Sequence, residues 1–278
     1  MQGKTCIVTG ATSGIGKEMA REFVRRGARV VIVCRNPDKG GKTLAEIGGG
    51  EMVVADLSVL SETRAAAHRI LAEHDRIDVL MNNAGVHTRA AETSREGFDL
   101  MVATNHLSPF LFTDLLLPLV RRAAGRVVAT ASEAHRWADR LDLDRFAEPS
   151  GYGPLGATRV YGRSKLMNIL TTEELGRRLA GTGATANSFC PGAVATALFP
   201  DPLLLRLASL AARTPLVRTP EEGARMGVRL ATDPKLAHVT GRFFTSTPAA
   251  RLLPRAGGRG DERLARALWS RTAALVGL

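Results

Sequence analysis

Seven short runs rich in Val, Ile or aromatic residues recur along this 278-residue chain: TCIVT (5–9), RVVIVC (29–34), MVVAD (52–56), IDVLMN (77–82), RVVATA (126–131), TANSFC (185–190) and RFFT (242–245). Each has the length of a strand, and β-branched side chains suit a pleated surface. Longer segments with helical spacing lie between them. In the first of these, Ile15, Met19 and Phe23 fall at i, i+4 and i+8, and Gly27 follows as a C-terminal stop. Strand, helix, strand repeated in this way predicts a parallel sheet, because a parallel pair needs a crossover and the crossover helix covers one face. The early runs are nearly all apolar rather than alternating, as strands buried on both faces require. The expected fold is therefore α/β, a doubly wound (Rossmann) sheet of about seven parallel strands with helices on both faces, in a single domain over residues 1–278. Two looser segments, 133–158 and 197–220, are rich in Gly, Pro and charge. Both connect elements near the C-terminal ends of strands, where open α/β sheets bind ligands.

Composition narrows the functional classes. The net charge is +11, but the 38 basic residues, all but six of them Arg, are scattered and not interleaved with aromatics, so no nucleic-acid footprint is expected. The longest apolar stretch, FLFTDLLLPLV at 110–120, is short and interrupted by Asp114 and Pro118, which argues against a membrane span. Met1 is followed almost at once by a strand-like run rather than a cleavable leader. Cys6, Cys34 and Cys190 are far apart and show no metal-ligand spacing, so neither disulfides nor a metal site is expected and a reducing, cytoplasmic setting fits.

TGATSGIG, residues 9–16, sits between the first strand and the first helix. Gly10, Gly14 and Gly16 permit a tight turn and close backbone approach, while the helix beginning near Ile15 aims free N–H groups and its positive dipole end at an anion. A nucleotide phosphate is the expected occupant. The second strand ends at Cys34-Arg35, with no acid before Asp38. A carboxylate there would bond a ribose 2′-hydroxyl and repel a 2′-phosphate; the planar guanidinium of Arg35, helped by Ser13 and Asn36, suits the phosphate instead. NADP(H) is the expected cofactor.

RVYGRSK at 159–165 places Tyr161 four residues before Lys165. At about 3.6 residues per turn both face the same way on a helix, and an ammonium near a phenol stabilises the phenolate. Such a pair is suited to protonating the alkoxide that hydride transfer to a carbonyl would leave. Ser132 ends the fifth run, on the expected cofactor side, where its hydroxyl can hold a carbonyl oxygen with Tyr161. Asn105, in TNHLSPF, lies on a helix that otherwise turns Phe110, Leu111 and Leu115 inward, and a buried Asn needs partners.

The GxxxGxG spacing of the glycine loop, followed in order by Asp56-Leu57, NNAG at 82–85, the YxxxK pair and PGAVAT at 191–196, resembles the short-chain dehydrogenase/reductase family from residue 5 to nearly residue 245. That resemblance implies that Gly10, Ser13, Gly14, Ile15 and Gly16 hold the pyrophosphate. It implies that Asp56 and Leu57 meet the adenine and that Asn83, Ala84 and Gly85 lie beside its ribose. It further implies that Pro191, Gly192, Val194 and Thr196 flank the nicotinamide, and that Tyr161 and Lys165 also touch the cofactor. Asn105, Ser132, Tyr161 and Lys165 match the family's reacting set, in which the Asn supports a water relay. Within the family, VCRNPDKG, TNHLSPFLFTDLLL, ASEAHRW, YGRSKLMNIL, RLDLDRF and the C-terminal LARALWSRTAALVGL look like the retinol dehydrogenase and protochlorophyllide reductase branch. Departures are Ser108-Pro109 in place of the usual Gly-His and Ala131 in place of a Ser, and the membrane anchor of many retinol enzymes is not expected here.

The implied activity is NADP(H)-dependent interconversion of a ketone or aldehyde with an alcohol. The Leu-rich stretch 197–216, with Trp137 and Phe146, would form an apolar flap over a small-molecule substrate. Competing readings are a C=C or C=N reductase with the same cofactor and a non-catalytic nucleotide-binding scaffold or sensor. The helices at 106–122 and 157–180 resemble those through which family members dimerise, so both a monomer and a homo-oligomer are compatible with the sequence.

Overall fold

Ile7 and Val8, adjacent in the first strand, are both fully buried and point to opposite faces of the sheet, so the pleat places apolar surface on either side. The computed structural model describes residues 1–149, 152, 156–194, 218–247, 250 and 257–278. Its strands are β1 (Thr5–Thr9), β2 (Arg29–Cys34), β3 (Glu51–Val54), β4 (Val79–Asn82), β5 (Arg126–Thr130), β6 (Thr185–Cys190) and β7 (Arg242–Thr245). They form one seven-stranded sheet in the order β3-β2-β1-β4-β5-β6-β7, and every pairing is parallel. The expected α/β architecture is what the chain adopts. β3 departs from the expectation of burial on both faces: it is an edge strand, and Glu51 and Val54 are exposed.

The described helices are α1 (Gly14–Arg25), α2 (Pro37–Ile47), α3 (Leu60–Glu73), α4 (Leu100–Arg122), α5 (Gly156–Arg178), α6 (Pro220–Thr232) and α7 (Glu262–Val276). One face of the sheet buries Cys6, Val8, Ile32 and Met81 under α1, α2 and α6; the other buries Ile7, Val31, Leu80 and Val127 under α3, α4, α5 and α7. In α1, Met19 and Phe23 are buried and Ile15 packs partly buried on the same cluster, as their spacing predicts. α6 starts with a capping box between Thr219 and Glu222, and α2 is bounded by an Asn36 N-cap and a left-handed Gly48.

α4 alone among the described helices is long and apolar enough to cross a membrane, yet 78% of its apolar window is buried inside the fold. Its surface is spent on the core. The helix carries a π turn at Ala103–Leu107, which puts Asn105 and His106 inward.

Candidate active site

β1 has β2 on one side and β4 on the other, so the winding reverses there and a crevice opens beyond the strand C-termini. The glycine loop closes this point. Gly10 has φ +65°, and a Cβ on it would stand 2.8 Å from the Ala84 Cα; a Cβ on Gly16 would stand 2.3 Å from the Gly10 carbonyl oxygen. Backbone thus meets backbone where side chains cannot fit. Thr9 pins the NNAG segment: its hydroxyl donates to Met81 O (3.2 Å) and accepts from the N–H groups of Asn83 (2.9 Å) and Ala84 (3.0 Å). The Asn83 side chain donates to the carbonyl oxygens of Thr9 (3.1 Å) and Gly10 (3.3 Å) and accepts from the Thr130 hydroxyl (3.2 Å). It is committed to the scaffold, tying β1 to β5 across β4.

At the N-terminus of α1, Ser13 is extended, its hydroxyl makes no capping bond, and the first turn carries no acid. The N–H groups and positive dipole end there lack a capping side chain, which is what an anionic phosphate needs. Arg35 is exposed at the end of β2, and among the described residues no carboxylate pairs with it. Asn36 accepts from Lys39 N (2.9 Å) through its side-chain oxygen, and no hydrogen bond among the described residues engages its amide N–H₂. Asp56 lies two residues beyond β3 rather than closing it. One carboxylate oxygen accepts from Ser58 N (2.8 Å) and Ser58 Oγ (2.7 Å), and no hydrogen bond among the described residues engages the second. Leu57 packs partly buried against the core.

The four residues of the reacting set converge at the ends of β4 and β5. Tyr161 and Lys165 share one face of α5, and the Lys165 ammonium stands 5.5 Å from the Tyr161 ring centroid while donating to Thr130 O (3.0 Å). Ser132 is the side chain that opposes the rise in the Tyr161 phenol's pKa, as a hydroxyl facing the phenol oxygen does. Ser132 lies two residues beyond β5 as the N-cap of a 3-10 turn, Glu133–Trp137, where its hydroxyl accepts from Ala134 N (3.1 Å). Asn105 is fully buried: its side-chain oxygen accepts from Val86 N (2.8 Å), and its N–H₂ donates to Val86 O (3.0 Å) and Ser164 Oγ (3.1 Å). Ser164 in turn donates to Tyr161 O (2.7 Å). Asn105 thus links the segment after β4 to the helix that carries Tyr161 and Lys165. Gly85 lies in this junction, and a Cβ on it would be 3.2 Å from Asn105 Oδ1 and 3.5 Å from Lys165 Nζ.

The electrostatics differ from the sequence expectation. Burial pushes the Tyr161 phenol well above its ordinary value, opposed by the hydrogen bond from Ser132; it is not lowered by the ammonium. Burial also pulls Lys165 down to about 8. The cation lies over the ring rather than at the hydroxyl, and desolvation outweighs the attraction.

In the loop after β6, Pro191 is buried and Gly192 has φ +91°. Val194 and Ile15 approach across Gly223, where a Cβ would stand 2.8 Å from Val194 Cγ2 and 3.2 Å from Ile15 Cγ1. This brings the loop after β6 against the glycine loop after β1. Thr196 and the whole flap 197–216 lie outside the described residues. Of the two aromatics expected to line the substrate site, Trp137 is 68% exposed beside the Ser132 turn, whereas Phe146 is buried in the core with its ring 5.9 Å from His106. Phe146 is removed from the substrate wall because its loop folds back under α4. Sequence reasoning also missed Thr9, Thr130, Ser164 and Gly162. A Cβ on Gly162 would stand 2.4 Å from Ala134 O, so its bareness lets the Ser132 turn dock on α5. The one sequence signal for these residues is their adjacency to the recognised motifs.

A family model described as short chain dehydrogenase matches residues 4–138. Human retinol dehydrogenase 14 is 36% identical over 100% of this chain and 88% of its own length. Dehydrogenase/reductase SDR family member 13 of Bos taurus is 38% identical over 100% of this chain and 74% of its length. Among solved structures, a 3-ketoacyl-(acyl-carrier-protein) reductase from Brucella melitensis complexed with NADH superposes with a TM-score of 0.69 at 25% identity, covering 93% of this chain and 98% of that one. With full-length relatives at this identity and this sheet order, the chain belongs to the short-chain dehydrogenase/reductase family, whose members are oxidoreductases that use a nicotinamide cofactor on small molecules.

Proposed function

We propose that this protein is an NADP(H)-dependent enzyme interconverting a ketone or aldehyde with an alcohol on an apolar small molecule, with Tyr161 as acid and base. The observation that carries this reading is the convergence of Tyr161, Ser132, Lys165 and Asn105 beside the crevice where the sheet winding reverses. A scaffold that only bound nucleotide would have no physical need for that convergence. The uncapped start of α1, the outward Arg35 and the free oxygen of Asp56 fit a dinucleotide carrying a 2′-phosphate.

A nicotinamide held in this crevice would supply the hydride to the carbonyl carbon. The carbonyl π pair then moves onto oxygen, and Ser132 and Tyr161 hold that oxygen between their hydroxyls. Tyr161 passes its proton to the alkoxide; burial keeps the phenol protonated at neutral pH, the form that reduction requires. Lys165 anchors the ribose side from its bond to Thr130 O, and its positive charge stabilises the phenolate left behind. Exposed Trp137 supplies an apolar surface next to Ser132, which supports an apolar substrate. The three cysteines, all free and buried, support a reducing cytoplasmic setting.

The test of the reaction class is NADPH oxidation followed with a panel of aldehydes, ketones, imines and enones. Turnover of aldehydes or ketones is expected. Activity confined to imines or enones would move the assignment to C=N or C=C reduction, and no turnover with any of them would favour a sensor. The cofactor reading has its own test. Arg35→Asp is expected to raise the KM for NADPH by about tenfold to a hundredfold, the worth of one charge-assisted hydrogen bond plus a new repulsion, and to shift preference toward NADH. Unchanged preference in steady-state kinetics would mean that another group reads the 2′-phosphate.

A further inference from the structure

Of the motif ASEAHRW, the function described so far uses Ser132 and Trp137, yet His135 in the same motif is 1% exposed and bonded to that serine. We propose that His135 is a positioning residue for Ser132, fixing the Ser132–Glu133 peptide through Nδ1–H so that the serine hydroxyl keeps its direction toward the reacting centre. The inference rests on the assignment of Ser132 and Tyr161 to the reacting centre.

His135 Nδ1 lies 2.7 Å from the Ser132 carbonyl oxygen, which also accepts from His135 N at 3.1 Å. A carbonyl only accepts, so Nδ1 carries the proton and the tautomer is set. The other end of the same peptide unit is held too: Glu133 N–H donates to Cys190 Sγ at 3.3 Å. A peptide is planar, so bonds at both its oxygen and its N–H fix its rotation, and with it the direction in which Ser132 projects its side chain. His135 Nε2 is then a bare lone pair, buried without a hydrogen-bond partner among the described residues, and the ring packs edge-on against Phe243 of β7 with centroids 5.1 Å apart. Burial holds the imidazole below its ordinary value and so neutral. A buried imidazole with one nitrogen unused is explained if the other nitrogen has a positional task, and the group it holds is the peptide of Ser132.

Asparagine and glutamine separate the two nitrogens, because an Asn amide can place N–H where Nδ1 stands and a Gln amide where Nε2 stands. With full-length protein and a carbonyl substrate found in the panel, His135→Gln is expected to lose about tenfold or more in kcat, as a sub-ångström to ångström displacement of a positioned group does, with NADPH affinity within about twofold of wild type. His135→Asn is expected to keep kcat within about threefold. Equal losses in the two variants, or wild-type kcat in His135→Gln, would overturn the inference. If His135→Gln fails to fold, His135→Leu serves in its place with the same expectations. Tyr161→Phe run in parallel keeps the two readings apart: full turnover in that variant defeats the reacting centre itself. Collapse there with indistinguishable Asn and Gln variants defeats only the role of His135.

Discussion

Tyr161→Phe is expected to lower turnover by about a hundredfold to ten-thousandfold, the range that a positioned general acid supplies, while NADPH still binds. The substitution removes one atom. The ring that remains keeps its edge-on contact with His87 at 5.1 Å and its face toward Lys165, so packing around α5 is preserved. What disappears is the hydroxyl beside Ser132 and the proton that it carries. Losing a buried hydroxyl costs little stability, because Ser132 keeps its bond from Ala134 N. Fluorescence titration of NADPH is therefore expected to give an affinity close to that of the wild type, and absorbance of NADPH with substrate a rate near background. Near-normal turnover would remove Tyr161 from the mechanism and with it the proposed reaction.

Much of the fold was legible because burial leaves a local trace. TCIVT and RVVIVC coincide with β1 and β2, since continuous apolar or β-branched runs of that length have few other uses, and TANSFC and RFFT coincide with β6 and β7. MVVAD overruns its strand by two residues: β3 stops at Val54 because it is an edge strand with one partner, and pairing rather than composition ends it. Phe146 was misplaced for a related reason. A loop aromatic has no period to read, and only the path of the chain reveals that it fills space beside His106. In the site, spacing put Tyr161 and Lys165 on one face, but which influence dominates each group depends on how much water is excluded, a tertiary property. Thr9 and Ser164 were invisible as individuals because hydroxyls are common; they became recognisable once the backbone they pin was in place.

Lys165→Met is expected to abolish most activity and, at neutral pH, to make the protein without added cofactor more stable. Lys165 is 3% exposed, and burial lowers its pKa from 10.5 to about 8. Between those values the unfolded chain binds the proton more readily than the folded one, so stability rises with pH across that window. Below about pH 8 the full cost of burying the ammonium is present, about 3 kcal/mol from the size of the shift. Methionine fills similar space without charge. It forfeits the 3.0 Å bond to Thr130 O, which returns about 1 kcal/mol. The balance of about 2 kcal/mol corresponds to a melting temperature higher by about 5 °C for a chain of this size. The gain is expected in full at pH 7 and to shrink steadily from pH 8 to pH 10.5, where the wild-type lysine loses its charge in both states. Turnover is expected to fall by about a hundredfold or more, because the cation that supports the Tyr161 phenolate is gone. Thermal melts of both proteins across this pH range test the argument. A variant less stable than the wild type at pH 7, or a gain indifferent to pH, would show that Lys165 is not held against a desolvation cost. The stability this position gives up is then the measure of what the site requires: a charged group kept where water is scarce, next to the one tyrosine it serves.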